Sequence, residues 1–224
     1  MIKAVAFVPN TPTLIGDPGV NHAETISALR SFGKEISGKI DAAVIMSPHF
    51  QTSGSFGIVS APRLRQIYDF YGFPRAFYEV KYEPPGDPEL AGQIVNLGKD
   101  HGIRIMPVGN WGLDHGAWSP LFHIFEGAHM PVVPLSISQD LGPAAHVSLG
   151  KMMRSPQIKK NICILATGSL IHRLDLFHAA SPEGDNLPLR FIEGAIGEKF
   201  KARILSNEIE FNAASLTTVV FEEA

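Results

Sequence analysis

The chain has 224 residues, 45% hydrophobic and 18% charged, which is enough apolar material for a large core and too little charge for a disordered segment. A net charge of −3 and a pI near 6.3 leave no basic field to gather phosphates, which argues against a nucleic-acid partner. The one cysteine, Cys163, sits in an apolar run, so no internal disulfide can form and a reducing, cytoplasmic setting is expected.

In chain order, residues 4–8 form an apolar run that Pro9 breaks too early for a signal peptide or a membrane span, so a first strand and no membrane attachment are expected. After the turn Gly16-Asp-Pro-Gly19, helical spacing predicts a helix over 22–40, followed by a strand at 42–46. The Pro, Gly and aromatic-rich segment from Tyr68 to Gly86 is too apolar for a linker and reads as an ordered excursion over the sheet. A helix over 87–101, strands at 103–108, 132–137 and 162–166, and a helix over 142–153 complete the pattern. This alternation predicts an α/β fold with helices packed on a sheet, in a single domain spanning 1–224.

The polar residues that follow these strands are the candidates for chemistry. Asn10 follows the first, Ser47-Pro-His49 the second, Asn110 to His115 the third, and Gly168-Ser-Leu-Ile-His172 the fifth. Carboxyl ends of strands in open α/β sheets meet in a crevice, so these residues can converge on one site. The loop Gly112-Leu-Asp-His-Gly-Ala-Trp118 places Trp111 and Trp118 on either side of one titratable histidine, a setting for a small aromatic substrate that must be held and deprotonated. A plainer alternative accompanies each residue: His49 as a turn histidine, Asp114 as a helix cap with His115 merely packed, and Ser169 as the cap of a helix after the last strand. His22, His101, His123, His129, His146 and His178 take surface or satisfied-core roles by default.

The set Phe7-Val-Pro-Asn-Thr-Pro-Thr-Leu14, Ser47-Pro-His49, Tyr68-Asp-Phe-Tyr-Gly-Phe-Pro74, Tyr82-Glu-Pro-Pro-Gly86, Gly112 to Trp118, Pro131 to Ile137 and Gly168 to His172 resembles the class III (LigB-type) extradiol ring-cleavage dioxygenases. The resemblance implies an α/β sandwich around a mixed central sheet with helices on both faces. It also implies O₂ insertion into a catechol or aminophenol ring beside a hydroxyl, with non-haem Fe(II) as cofactor. Such a site takes two histidines and a carboxylate and leaves other positions open for substrate and oxygen. By this resemblance His49 is a metal histidine, His172 the acid/base, and His115 the pocket histidine that contacts substrate or oxygen. Trp111, Asp114, Trp118, Tyr71 and Phe73 are then expected around the substrate, and Arg65 or Arg75 could pair with a substrate carboxylate.

Two positions depart from the family pattern. Asn10 holds the place of the first metal histidine, and an amide is a poor substitute for imidazole on Fe(II). The third ligand should fall within residues 207–216, where Glu208 and Glu210 are available and Ala213 or Ala214 occupies the best register, so Glu208 is the nominee. Two readings result. One is an extradiol dioxygenase; the other is a metal-free homologue that stabilises or regulates a catalytic dioxygenase subunit, as in the 2-aminophenol 1,6-dioxygenases. A small aromatic substrate and a homo-oligomer, or a hetero-oligomer with a homologous subunit, are the expected partners.

Overall fold

The computed structural model describes residues 1–16, 22–170 and 182–223. Eight strands form one mixed sheet: β1 (Ile2–Val8), β2 (Ala42–Thr52), β3 (Phe56–Val59), β4 (Ile105–Val108), β5 (Val132–Ser138), β6 (Ile162–Thr167), β7 (Phe200–Glu210) and β8 (Ala214–Glu223), in the order β4-β3-β5-β2-β6-β1-β8-β7. The centre is parallel, with β2 and β1 flanking β6 and β5 alongside β2. Antiparallel β8 and β7 extend one edge, and the β3–β4 pair extends the other.

Strand periodicity divides the apolar residues between two cores. Ala4, Ala6 and Val8 of β1, Ala43 and Ile45 of β2, and Cys163 and Leu165 of β6 face one side, where α1 (Ala23–Ile36) contributes Leu29, Phe32 and Ile36. The alternate residues Val5, Phe7, Val44, Met46, Ile162 and Ile164 face the other. There they meet α2 (Pro88–Asp100), α4 (Gly142–Met152) and α5 (Pro182–Ile196). The remaining helix, α3 (His115–Ile124), packs with α1 on the first side. A mixed sheet with helices on both faces is therefore what the chain forms.

Several boundaries differ from those read in the sequence. The first helix stops at Ile36, where Ser37 and then Gly38 at φ 73° end the helical path. The strand at 103–108 is confined to Ile105–Val108. Most consequential, β2 does not end at Met46: its pairing with β5 runs through Ser47, breaks, and resumes at Gln51. Pro48 has no N–H to give the ladder, so the strand bulges at 48–50 and His49 is pushed out of the pairing without the strand ending. The strands β3, β7 and β8 and the helix α5 lie outside the predicted elements, and α3 was foreseen only in the reading of Asp114 as a helix cap, a role that Asp114 fills.

Candidate active site

The bulge of β2 and the start of α3 form the site. Asp114 caps α3, its Oδ1 accepting the Ala117 N–H at 3.1 Å and the Ser47 hydroxyl at 2.6 Å. The first turn of the helix is thereby tied to the strand that carries His49. The join is tight at Gly116, where an added Cβ would lie 2.7 Å from both His49 Cδ2 and Ser47 Oγ, so only glycine lets the helix approach this closely. Burial pushes the Asp114 carboxyl above its ordinary value, with nearby Asp69 adding to the rise and His49, Ser47 and His115 opposing it.

A second loop arrives from the aromatic excursion. Leu113 N–H donates to Arg65 O at 2.8 Å, and Ile67 N–H donates to Leu113 O at 2.7 Å, a short parallel ladder that stitches the excursion to the loop before α3. Gly112 permits it, since a Cβ there would lie 1.9 Å from Arg65 O. Two residues beyond Ile67, Asp69 reaches both histidines. Its Oδ1 accepts the His115 backbone N–H at 2.8 Å and lies 2.9 Å from His115 Nδ1, off the axis of a straight bond to that nitrogen. Its Oδ2 lies 3.6 Å from His49 Nδ1. Burial works against the Asp69 anion, yet bonding to His115 and the charge of the two rings prevail and hold its carboxyl below the ordinary value. The two imidazole rings are tilted by 58° with centroids 4.2 Å apart. On its other side, His49 Nε2 lies 3.4 Å from Asn10 Nδ2.

The sequence-predicted residues thus separate into groups. Asn10, His49, Asp114 and His115 come together; His172 lies outside the described residues. Trp118 stands behind the site and offers no face to a ligand, being wholly buried with its indole N–H on Ile67 O at 2.9 Å. Trp111, half-buried, stacks on Phe50 with 12° between the rings. Phe73 packs on Phe70 and Phe77, while Tyr71 is 90% exposed. Arg75 is paired with Glu79 at 2.9 Å, and Arg65 reaches Asn110 O at 3.3 Å. Much of the aromatic segment is therefore core, with Phe70 edge-on to His115.

Glu208 lies on β7 at the start of α1, where its Oε2 accepts the Thr25 N–H at 2.8 Å and the Thr25 hydroxyl. Glu210 is sealed against Thr13 and His22. Both glutamates are occupied by that end of α1 rather than by the His49 cluster. Asp69 is the participant that reasoning from sequence missed, although it stood in a quoted motif. The available signal was a lone carboxylate within a dense run of aromatics, since a charge in such surroundings needs partners.

As to a metal, His49, Asp69 and His115 form a group whose possible ligand atoms lie within 4.8 Å of one another. Imidazole and carboxylate are the donor types of a non-haem Fe(II) centre, so the residues present fit a divalent ion anchored on His49. A cavity of about 260 Å³ opens elsewhere, at the meeting of α1 and α3, lined by Arg30, Lys34, His123 and Met130 among others. None of the described candidate residues lines it, and residue chemistry carries more weight than volume in locating the site.

The family described as the catalytic LigB subunit of aromatic ring-opening dioxygenase matches residues 5–222. A 4,5-DOPA dioxygenase extradiol of Beta vulgaris is 33% identical over 76% of this chain and 63% of its own length. The dioxygenase tasH of Hapsidospora irregularis is 31% identical over 92% of this chain and 62% of its own. The chain thus spans less than two thirds of either relative. An uncharacterized protein of Escherichia coli K12 shares the fold, with a TM-score of 0.73 at 22% identity, covering 97% of this chain and 98% of that one.

Proposed function

Because the chain belongs to the LigB family of aromatic ring-opening dioxygenases, we propose that it opens a catechol-type or aminophenol-type ring beside a hydroxyl, with O₂ as co-substrate. Both oxygen atoms enter the product as one ring carbon–carbon bond breaks, so the reaction needs no external reductant. The observation that carries this reading is the pair of tilted imidazoles, His49 and His115, on a bulge and a helix start held together by Asp114. His49 would hold Fe(II), with the Asn10 amide beside its Nε2. Bound there, the ion would supply electron transfer between ring and O₂. His115 would take the proton of a ring hydroxyl, the step that makes the substrate a chelating anion. His172 remains the second acid/base candidate on the strength of the resemblance. Trp111 and Phe73, both half-buried, are proposed to border the aromatic ring, and exposed Tyr71 its entrance.

Asn10 in place of the family's first histidine favours a second reading, a metal-free subunit beside a catalytic homologue. The test is protein purified without oxygen, reconstituted with Fe(II), and offered catechols, DOPA and aminophenols while iron content and O₂ uptake are followed. Near-stoichiometric iron, lost in His49→Ala, with one O₂ consumed per ring opened is the expected result. The absence of both bound iron and O₂ uptake would overturn the enzyme reading and direct attention to a co-purifying homologue.

A further inference from the structure

The cluster of His49, Asp69 and His115 has the donors of a metal site, but its geometry describes a different job for the carboxylate. Asp69 lies on the Nδ1 side of both rings, 2.9 Å from one and 3.6 Å from the other. A bare nitrogen lone pair facing a carboxylate oxygen at 2.9 Å is repelled, whereas an N–H there is attracted, so the carboxylate favours the Nδ1–H tautomer of His115. His49 receives the same instruction from both sides. Asp69 Oδ2 attracts a proton at Nδ1, and Asn10 Nδ2, a donor, faces Nε2 at 3.4 Å and is met by a lone pair there.

We propose that Asp69 is a shared positioning residue, which fixes both histidines as Nδ1–H tautomers and turns their Nε2 lone pairs to the working side of the site. On His49 that lone pair is the metal-binding one; on His115 it is the base for the substrate hydroxyl. The roles of the two nitrogens rest on the proposed reaction, while the tautomers do not.

The competing carboxylates do not serve. Asp114 gives its Oδ1 to Ser47 and the α3 cap, and Glu208 and Glu210 bind the start of α1 and the segment before it. Asp69 is also held on its own account. The ladder through Leu113 fixes its loop, and the His115 backbone N–H fixes its Oδ1, so ring and carboxylate move together. A carboxylate that orients a metal-binding or catalytic imidazole through the nitrogen opposite the working one is an established physical device, and losing it typically costs 10–100-fold in affinity or activity, here about that order.

The first measurement is the ring-nitrogen NMR spectrum of the full chain labelled with ¹⁵N-histidine, in wild type and in Asp69→Asn. Asparagine keeps an oxygen for the His115 backbone N–H but offers the rings no charge, so the loop is retained while the instruction is removed. The expected result is Nδ1–H on both His49 and His115 in the wild type and loss of that preference in the variant. An Nε2–H tautomer on either ring of the wild type overturns the proposal, and so does a pattern unchanged in Asp69→Asn. Should the variant not fold, the wild-type spectrum alone decides.

A second readout separates positioning from ligation. At saturating Fe(II), Asp69→Asn should still take up iron, bound up to about 10–100-fold more weakly because His49 is no longer held in its metal-binding tautomer, and should keep its KM within a few-fold while kcat falls about 10–100-fold. Failure to take up iron even at saturating Fe(II) would make Asp69 a ligand and overturn the assignment. A protein that shows the expected tautomers yet opens no ring sinks the reading of the reaction and leaves the role of Asp69 standing.

Discussion

Among the described residues, histidine is paired with a carboxylate in two places, and the two are built to opposite ends. Near β7, Glu210 takes the Thr13 hydroxyl and lies 3.2 Å from His22 Nε2, with Thr13 itself 3.0 Å from that nitrogen; all three side chains are at most 5% exposed. Near α3, Asp69 serves two histidines while remaining 22% exposed, and the His115 Nδ1 beside it is off the line of a full hydrogen bond. A sealed, fully matched network resists change because each missing partner strands a buried polar atom. An open, imperfectly matched one has groups still able to accept a proton or a ligand, which is what chemistry needs. The histidine that sequence reading set aside as a core residue, His22, lies in the sealed network. The two brought together by the resemblance lie in the open one.

The sharpest break of this contrast is Glu210→Ala. It leaves the Thr13 hydroxyl and the His22 ring without their acceptor in a closed space, and the expected loss is about 2–5 kcal/mol from unsatisfied buried groups. Urea denaturation reads it as a lower midpoint with unchanged slope. Asp69→Asn should move the same midpoint by less than about 1 kcal/mol, because its loop is held by backbone bonds and part of its surface is wet. Equal losses from the two substitutions would erase the distinction.

Gly116→Ala comes next. The added methyl must enter the space between His49 Cδ2 and Ser47 Oγ, each 2.7 Å away, and neither is the end of a long flexible side chain. Overpacking of this kind costs about 1–3 kcal/mol. More telling, the 4.2 Å approach of the two imidazoles should be lost, seen as displaced His49 and His115 ring signals while those of His22 stay in place.

How much of this was legible beforehand follows from the same physics. Four of the five strands read in the sequence, β1, β2, β5 and β6, announced themselves because both faces are covered, so each is a near-continuous apolar run, whereas β4 at the sheet edge is buried only at Ile105. β7 did not, since at the sheet edge residues 200–204 are exposed on both faces and carry Lys201 and Arg203, which reads as loop. Failing to see that hairpin is what left Glu208 free to be nominated as a ligand. Periodicity did not show α3, nine of its ten residues being inside, which removes the amphipathic stripe; only the cap residue Asp114 pointed to it. His49 and His115 were nominated because a motif marks them. Asp69 was not, because its place beside both rings depends on a three-stretch convergence that the Arg65–Leu113 ladder creates and no local spacing reveals.

Two further carboxylates sharpen the comparison through pH. Asp114 is raised in the fold by burial. The folded protein therefore holds that proton more tightly than the unfolded chain, and stability falls as pH rises from the ordinary carboxylate value, 3.8, toward the raised one. Asp114→Asn can still cap α3 and cannot ionise. Its stability relative to wild type should improve as pH climbs through that window, and a difference that stays flat from acid to neutral pH would contradict the assignment.

Asp140 has the opposite sign and the smallest effect. Exposed at the end of β5, it accepts the Gly54 N–H and the Ser53 and Ser138 hydroxyls at 2.9–3.0 Å, and these bonds, the Gly54 one foremost, depress its pKa from 3.8 to about 2. A depressed carboxyl adds stability that is present above its unfolded value and disappears as pH falls through the folded one. The gap between wild type and Asp140→Asn should therefore be constant above about pH 4 and close as pH approaches 2. Because every partner of Asp140 is already matched, the substitution should leave the His49 and His115 ring signals untouched, as Asp69→Asn should not. A shift in those signals with Asp140→Asn would mean that the open site is coupled to the sheet end through β2, and that the behaviour attributed to Asp69 belongs to a wider network.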